Sequence, residues 1–488
     1  MDALTSFVID YRYVIELIAV GTAIIIALSS IDDLFLDCYY WYLKITGNGH
    51  VRDRERVADL DMLESIPEKP FAIMVPAWQE HEVIFSMLEA NSRLLRYSNH
   101  HYFVGVYQND QATQREVKRA RSLNSNIHTV LVPRDGPTSK ADCLNEVVVA
   151  IFEFEAKNKV QFAGIAMHDG EDLIHPHELK LFNLLIDEYD FIQLPVFSFV
   201  RPFSQVIGGI YMDEFAEVHT KDLVVREHLS GIIPCAGVSA CFGRNALAIL
   251  ADLNRGEAFR TNSFTEDYDI AFRVHDLGLR TTFASYPVAY TIDMAEDSEG
   301  PAIIRRALPI ATREFFPSTL RAAVRQRARW MLGIVFQGTS ELGWRGSAGT
   351  RYFLARDRKS IITGPTVIMG YFVLACIVLI ELYLSSAAPN ELFSYELLYS
   401  PWLLTLFLIN LGFLLWRLGQ RMFFTTKIYD WRQGLMSAPR LIVANFVNFF
   451  ATLRAVRIYF GHRFSGKPLV WDKTAHSYPF KLTQSPAE

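Results

Sequence analysis

The stretch IAMHDGEDLIHP, residues 165 to 176, closes an apolar run with three carboxylates in four positions, Asp169, Glu171 and Asp172. An apolar run of this kind fits a strand buried on both faces, and unpaired charges at its tip would be costly to desolvate. They must face a cation or water. Carboxylate oxygens suit a hard divalent cation such as magnesium or manganese, completed by water and phosphate oxygens. The same residues also read as a solvated acidic loop before a helix starting near Pro176, because acids are favourable at a helix N-terminus. The stretch alone leaves both readings open.

Outward from it, apolar runs at 71–75 (FAIMV), 102–107 (YFVGVY), 127–132 (IHTVLV), 162–167 (FAGIAM) and 191–197 (FIQLPVF) each fit a buried strand. Helix-length patterns such as SKADCLNEVVVAIFEFEAK at 139–157 separate most of them. This alternation predicts an α/β domain whose mostly parallel sheet is covered on both faces. Ligands bind such sheets beyond the carboxyl ends of the strands, where the HDGED carboxylates fall. No GxGxxG or GxxxxGK[ST] follows any strand, so neither a Rossmann dinucleotide loop nor a P-loop holds phosphates here. A metal could do so instead.

The chain has 488 residues, 50% of them hydrophobic, and its mean hydropathy is +0.13. It is long enough for more than one domain, and part of it should sit in a bilayer. A formal charge of −5 gives no support for nucleic-acid binding. Five cysteines, odd in number and without a CxxC pair, argue against a disulfide framework or a zinc knuckle. They read as reduced, mostly buried thiols facing a cytoplasm.

Residues 14–30, 361–386 and 398–416 are candidate membrane spans. The first lacks the basic leader of a signal peptide, having Asp2 and Asp10 there, and reads as an anchor. Arg351, Arg356, Arg358 and Lys359 precede the second span and Arg417, Arg421, Lys427 and Arg432 follow the third, whereas the loop between them has no Lys or Arg. The positive-inside rule then puts that loop outside and the 31–360 region in the cytoplasm. A fourth apolar stretch, 433–453, carries Arg440, Asn445 and Asn448 and reads as an interfacial or re-entrant helix. FFTTK at 423–427 reads as a juxtamembrane loop.

VPAWQE at 75–80, YQND at 107–110, SKADCLN at 139–145, HDGED at 168–172, TED at 265–267 and QRARW at 326–330 occur in this order. Together they resemble the processive family-2 glycosyltransferases, the group that includes cellulose, chitin and hyaluronan synthases. The likeness runs from the first span to about residue 480. Each motif is weak alone, and six in order are strong. The resemblance implies a GT-A fold, an α/β nucleotide-diphospho-sugar transferase domain, accompanied by transmembrane and interfacial helices. The expected divisions are an anchor (1–35), a cytoplasmic transferase domain (36–312), interfacial helices with QxxRW (313–360), a transmembrane hairpin (361–418), and a juxtamembrane interfacial helix with a cytoplasmic tail (419–488).

By the same resemblance, Pro76, Trp78 and Glu80 surround the nucleoside of a UDP-sugar and Asp110 accepts a hydrogen bond from its uracil ring. Lys140 and Arg329 of QRARW meet the diphosphate, Gln326 joins them in binding the donor, and Trp330 stacks on the acceptor sugar. Asp169 binds Mg2+ or Mn2+ with either Glu171 or Asp172. In Thr265-Glu266-Asp267, Asp267 is the general base. Plainer readings stand beside these: Glu80 and Asp110 as helix caps, Lys140 as a solvated helix-start lysine, TED as a capped helix start, and Arg329–Trp330 as an anchor at lipid headgroups. His168 reads as a local hydrogen-bonding residue and not a metal ligand.

The expected activity is inverting transfer from a nucleotide sugar, preferably a UDP-N-acetylhexosamine, onto a growing glycan exported across a bacterial inner membrane. A single-addition enzyme acting on a lipid phosphate, or a catalytically silent membrane receptor, are the alternatives. Expected partners are membrane lipids, an outer-membrane export partner and a cyclic di-GMP-dependent regulator, with no nucleic acid. Related chains continue into a C-terminal domain taken to sense cyclic di-GMP, whereas this sequence stops at Glu488 and has no RxxxR…DxSxxG signature of a PilZ domain. Regulation is therefore not carried over.

Overall fold

The computed structural model describes residues 3–47, 60–293, 303–387, 400–465 and 478. Its strands are β1 (Phe71–Pro76), β2 (His100–Tyr107), β3 (Ile127–Val132), β4 (Gly164–Met167), β5 (Phe191–Gln193), β6 (Val196–Ser198), β7 (Ala240–Gly243), β8 (Thr281–Phe283), β9 (Pro287–Asp293), β10 (Ile303–Pro309) and β11 (Thr312–Glu314). Seven form the central sheet in the order β3-β2-β1-β4-β7-β5-β8. Only β7 runs antiparallel to its neighbours there.

In β1, Phe71, Ile73 and Val75 belong to one apolar layer and Ala72 and Met74 to the opposite one. Both faces are thus buried, which is why these strands read as unbroken apolar runs. The chain therefore leaves β1, β2 and β4 on the same edge, at Ala77, Gln108 and His168. That edge is where VPAWQE, YQND and HDGED meet.

Two expectations need revision. The run 191–197 is two strands, because Leu194-Pro195 interrupts it: proline cannot donate to a ladder, and β6 pairs with β11 outside the main sheet. FFTTK is not a loop but the last turns of a helix, Pro401–Ile428, in which Phe424 and Thr425 are fully buried.

Among the described residues, four helices are long and apolar enough to cross a membrane by length and composition: within Ala3–Thr46, Ser360–Ala387, Pro401–Ile428 and Trp431–Ser465. Ile15 and Ala19 of the first pack on Val373, Ile380 and Leu384 of the second. Leu28, Leu374, Leu379, Leu408 and Leu415 face outward with about half or more of their surface exposed. Such faces are stable in hydrocarbon and costly in water. Residues 388–399, which contain most of the Lys- and Arg-free loop, lie outside the described residues, as does most of VWDKTAHSYP at 470–479.

The fourth helix differs from the others in what it touches. Near its start Arg440 pairs with Asp213 of the helix Val206–Glu217 (2.9 Å). In its middle Asn448 accepts from Arg327 (2.6 Å). Near its end Tyr459 stacks on Phe336 with centroids 4.4 Å apart. The helix is thus held by Val206–Glu217 near its start and by Leu320–Met331 and the turns after it further along, while Asn445 donates to Tyr371 of Ser360–Ala387 (2.8 Å).

A buried ionic hub joins these helices to the domain. Glu217 is paired with Lys221 (2.8 Å), Arg417 (2.6 Å) and Arg421 (2.6 Å). Lys221 also meets Asp37 of the first helix, whose other oxygen accepts from the Trp416 indole (2.9 Å). Removing one partner from such a group leaves uncompensated buried charge, at a cost of about 3–5 kcal/mol. Glu217→Gln should therefore lower the melting temperature of the detergent-solubilised chain by several degrees. An unchanged melting curve would show that the hub does not hold the helices to the domain.

Candidate active site

The edge where the strands end opens into a cleft of about 740 Å3. From β1 come Pro76, Trp78 and Glu80; the Trp78 ring meets Tyr107 edge-to-face at 5.0 Å. Gln79 between them has φ of 54°, a conformation unusual outside glycine. Asp110 holds it there, with one carboxylate oxygen accepting from the Gln79 amide (2.6 Å) and the other from Thr113 N (3.2 Å). Asp110 does not line the cleft. The helix-cap reading describes its place, and it acts on the cleft by positioning the Trp78 loop.

Ser139 caps the helix Lys140–Asn158 by accepting from Asp142 N, which puts Lys140 at the first turn and over the cleft. Its ammonium pairs with Asp169 (2.6 Å) and donates to Gly237 O (3.3 Å). Gly237 has φ of +82°, and a Cβ there would come within 2.8 Å of Asp267 Oδ2. Only glycine fits both constraints.

At the opening motif, Asp169 and Glu171 line the cleft but Asp172 does not. Asp172 is fully buried and accepts from His168 Nδ1 (2.9 Å) and Asp169 N (3.0 Å). His168 uses its other nitrogen on Glu178 (2.7 Å), whose second oxygen accepts from Ser239 (3.1 Å) and Thr312 (3.0 Å). Burial would favour neutral His168, but Glu178 and Asp172 outweigh it and lift its pKa to about 10. A metal role for Asp172 is therefore dropped: its carboxylate fixes the turn that presents Asp169 and Glu171.

Thr265, Glu266 and Asp267 enter the cleft at the start of the helix Glu266–Asp276. Gln326, Arg329 and Trp330 enter from the helix Leu320–Met331, while Arg327 between them turns away to a bidentate pair with Glu214. Sequence reasoning missed the residue that joins these two groups. Gln337 accepts from Phe264 N (2.9 Å) and donates to Asn262 O (2.7 Å), tethering the loop before TED. Nearby, a Cβ at Gly333 would come 2.3 Å from Thr265 Oγ1, so the two elements touch backbone to side chain. Both residues lie in the stretch RWMLGIVFQG. Tyr459 and His462 of the last helix also line the cleft, and nothing local in sequence marks them.

With this geometry in place, comparison with known proteins is informative. Residues 67–333 match the model of a glycosyltransferase like family 2. The chain belongs to this family. It is 41% identical over 485 residues, 98% of its length, to bacteriophage adsorption protein B of Escherichia coli strain K12, and equally to bacteriophage N4 adsorption protein B of Escherichia coli O157:H7. It spans 64% of the length of those relatives. Among solved structures, a mannosyltransferase of Pyrobaculum calidifontis in complex with GDP-Man and Mn2+ aligns over 88% of this chain and 99% of its own, at 15% identity and a TM-score of 0.48. The family match and the sheet order identify the domain as a GT-A glycosyltransferase fold.

The family-2 cleft is electrostatically crowded. Burial would lower the Lys140 pKa, but Asp169, Glu266 and Asp267 more than reverse this and keep it an ammonium. Burial and the neighbouring Asp267 charge raise Glu266 to about 7, against the pull of Lys140. Asp267 is raised by burial, with Lys140, the Tyr268 amide and Arg329 opposing. Without a donor, Glu266 thus keeps a proton in the folded chain at pH values where the unfolded chain has lost it. Its contribution is complete below the ordinary carboxylate range and lost as pH rises through about 7. Between pH 5 and pH 8 the melting temperature should fall more in wild type than in Glu266→Gln. Parallel melting curves across that window would contradict the protonated state.

Proposed function

We propose that the chain is an inverting hexosyltransferase that extends a glycan from a nucleotide-diphospho-sugar at the cytoplasmic face of a bacterial inner membrane and passes the product outward. The observation that carries this reading is the single cleft, in which Lys140 and Arg329 face Asp169, Glu171 and Asp267 between Trp78 and Trp330. Lys140 and Arg329 would bind the diphosphate, and Pro76, Trp78 and Glu80 the nucleoside. Trp330, packed edge-on against Tyr211 (centroids 6.2 Å apart), offers an apolar surface for the C–H face of an acceptor pyranose.

Asp267 would take the proton of the acceptor hydroxyl as that oxygen bonds to the anomeric carbon. The bond from that carbon to the diphosphate breaks, and the nucleotide diphosphate leaves with the electron pair. One displacement inverts the centre, so one base suffices. Lys140 and Arg329 would offset the charge growing on the leaving group.

Among the described residues no group of three His, Cys, Asp or Glu side chains could hold a metal by itself. The cleft carboxylates Asp169 and Glu171 nevertheless suit Mg2+ or Mn2+, which take few protein ligands and complete their shell with water and phosphate oxygens. A bound cation would supply charge neutralisation at the diphosphate. A UDP-N-acetylhexosamine is the preferred donor by analogy with the family.

The apolar helices Ala3–Thr46, Ser360–Ala387 and Pro401–Ile428 would cross the bilayer, with the 388–399 loop outside, and the last helix would lie at the cytoplasmic interface. Basic residues at the inner ends of the hairpin support this orientation. A glycan delivered outside would also give a bacteriophage a surface to adsorb to, in keeping with the relatives' name. An outer-membrane export partner and a cyclic di-GMP-dependent regulator remain part of the proposal.

The test is incubation of the purified full chain with a panel of nucleotide sugars and Mg2+ or Mn2+, following nucleotide diphosphate release and product size. The expected outcome is metal-dependent release, lost in Asp169→Ala, with a ladder of polymer. A one-step product would point instead to a lipid-phosphate acceptor. No release from any donor would favour a receptor without catalysis.

A further inference from the structure

Asp267 sits in the first turn of the helix Glu266–Asp276, and a base there works only if that turn is held in register with the side chains that grip donor and acceptor. Two sets of contacts hold it, one ahead of the turn and one behind. Both lead to the segment that continues from QRARW.

Ahead of the turn, the helix Leu320–Met331 widens into a π-helical stretch, Leu332–Gln337. Such stretches are rare and recur at functional sites. This one sets Gly333 against Thr265, where any side chain would collide, and Gln337 against the loop that precedes it. The Gln337 amide oxygen accepts from Phe264 N (2.9 Å), and its nitrogen donates to Asn262 O (2.7 Å) and to Glu341 (2.8 Å). Gln337 lines the cleft, but both its amide hydrogens are committed to the protein, which leaves none for a sugar.

Behind the base stands Tyr268. Its backbone amide donates to Asp267 Oδ1 (2.7 Å) and its hydroxyl to Asp357 (2.5 Å). Asp357 belongs to the helix Ala348–Arg358, and the buried Arg226 grips both of its oxygens at 2.9 Å. The neighbouring Arg358 donates to Gly338 O (2.9 Å), one residue past Gln337. The two sets of contacts are therefore tied to each other.

We infer that Gln337 and Tyr268 are positioning residues for the transfer, which together fix Asp267 relative to Arg329 and Trp330 so that the base meets the acceptor hydroxyl. This rests on the reading of Asp267 as the base. Neither side chain need touch the substrate, because each acts through the turn that carries the carboxylate.

Gln337→Met and Tyr268→Phe nearly keep the size of each side chain and remove its hydrogen bonds, and either variant alone suffices for the test. The full chain in detergent is assayed with a nucleotide sugar that wild type turns over. Each variant should lower kcat by about tenfold to a hundredfold, the cost of a small misplacement, while the affinity for the nucleotide diphosphate stays that of wild type. In an Asp267→Asn background neither change should lower the residual turnover further, because a group that acts through the base has nothing left to position. A merely structural role predicts the same fractional loss in both backgrounds, and that result would overturn the inference. So would an unchanged kcat, or an equal fall in nucleotide diphosphate affinity. Wild-type turnover in Asp267→Asn, or no turnover of any donor by wild type, would instead remove the reading of the base and this inference with it.

Discussion

The ammonium of Lys140, set among Asp169, Glu266 and Asp267, is the constraint on which the catalytic half of the molecule depends. Three carboxylates from two separate loops cannot be brought into one buried cleft without a cation among them. The fold meets this demand by ending β4, starting the helix Lys140–Asn158 and starting the helix Glu266–Asp276 at one edge of the sheet. Under the proposed function, Asp169 and Glu171 would hold a divalent cation and Lys140 would meet the diphosphate.

A second group of charges organises the rest. Asp37, Glu217, Lys221, Arg417 and Arg421 connect the first and third long helices to the domain. Asp32 and Asp33 add the start of the second through Arg356 and Lys359. The last helix is attached through Arg440, Asn448 and the stacked Tyr459. These contacts bring Tyr459 and His462 of the last helix to the wall of the cleft.

Much of this was legible in sequence because the relevant signals are local. β1, β2 and β4 are buried on both faces and so read as apolar runs, and the helices after SK and TE carry their own starting residues. β7 escaped notice because only Ala240–Gly243 form it, too short a run to show a pattern. Asp110 and Asp172 do not line the cleft, for a shared reason. A carboxylate at a strand end looks alike in sequence whether it faces a ligand or accepts from backbone amides, and here the fold spends both on amides and a buried histidine. Gln337 reaches the loop at Asn262 and Phe264, and His462 reaches the cleft from the end of the last helix, separations no periodicity reveals.

The central claim is that Asp267 removes the acceptor proton inside a cleft that binds the donor by other groups. The most direct measurement compares turnover and nucleotide diphosphate affinity in wild type and Asp267→Asn. Loss of a positioned base predicts a fall in turnover of about 10²–10⁴-fold, with affinity retained or slightly tightened because Lys140 loses a competing carboxylate. A folded Asp267→Asn chain that turns over at the wild-type rate would contradict the account.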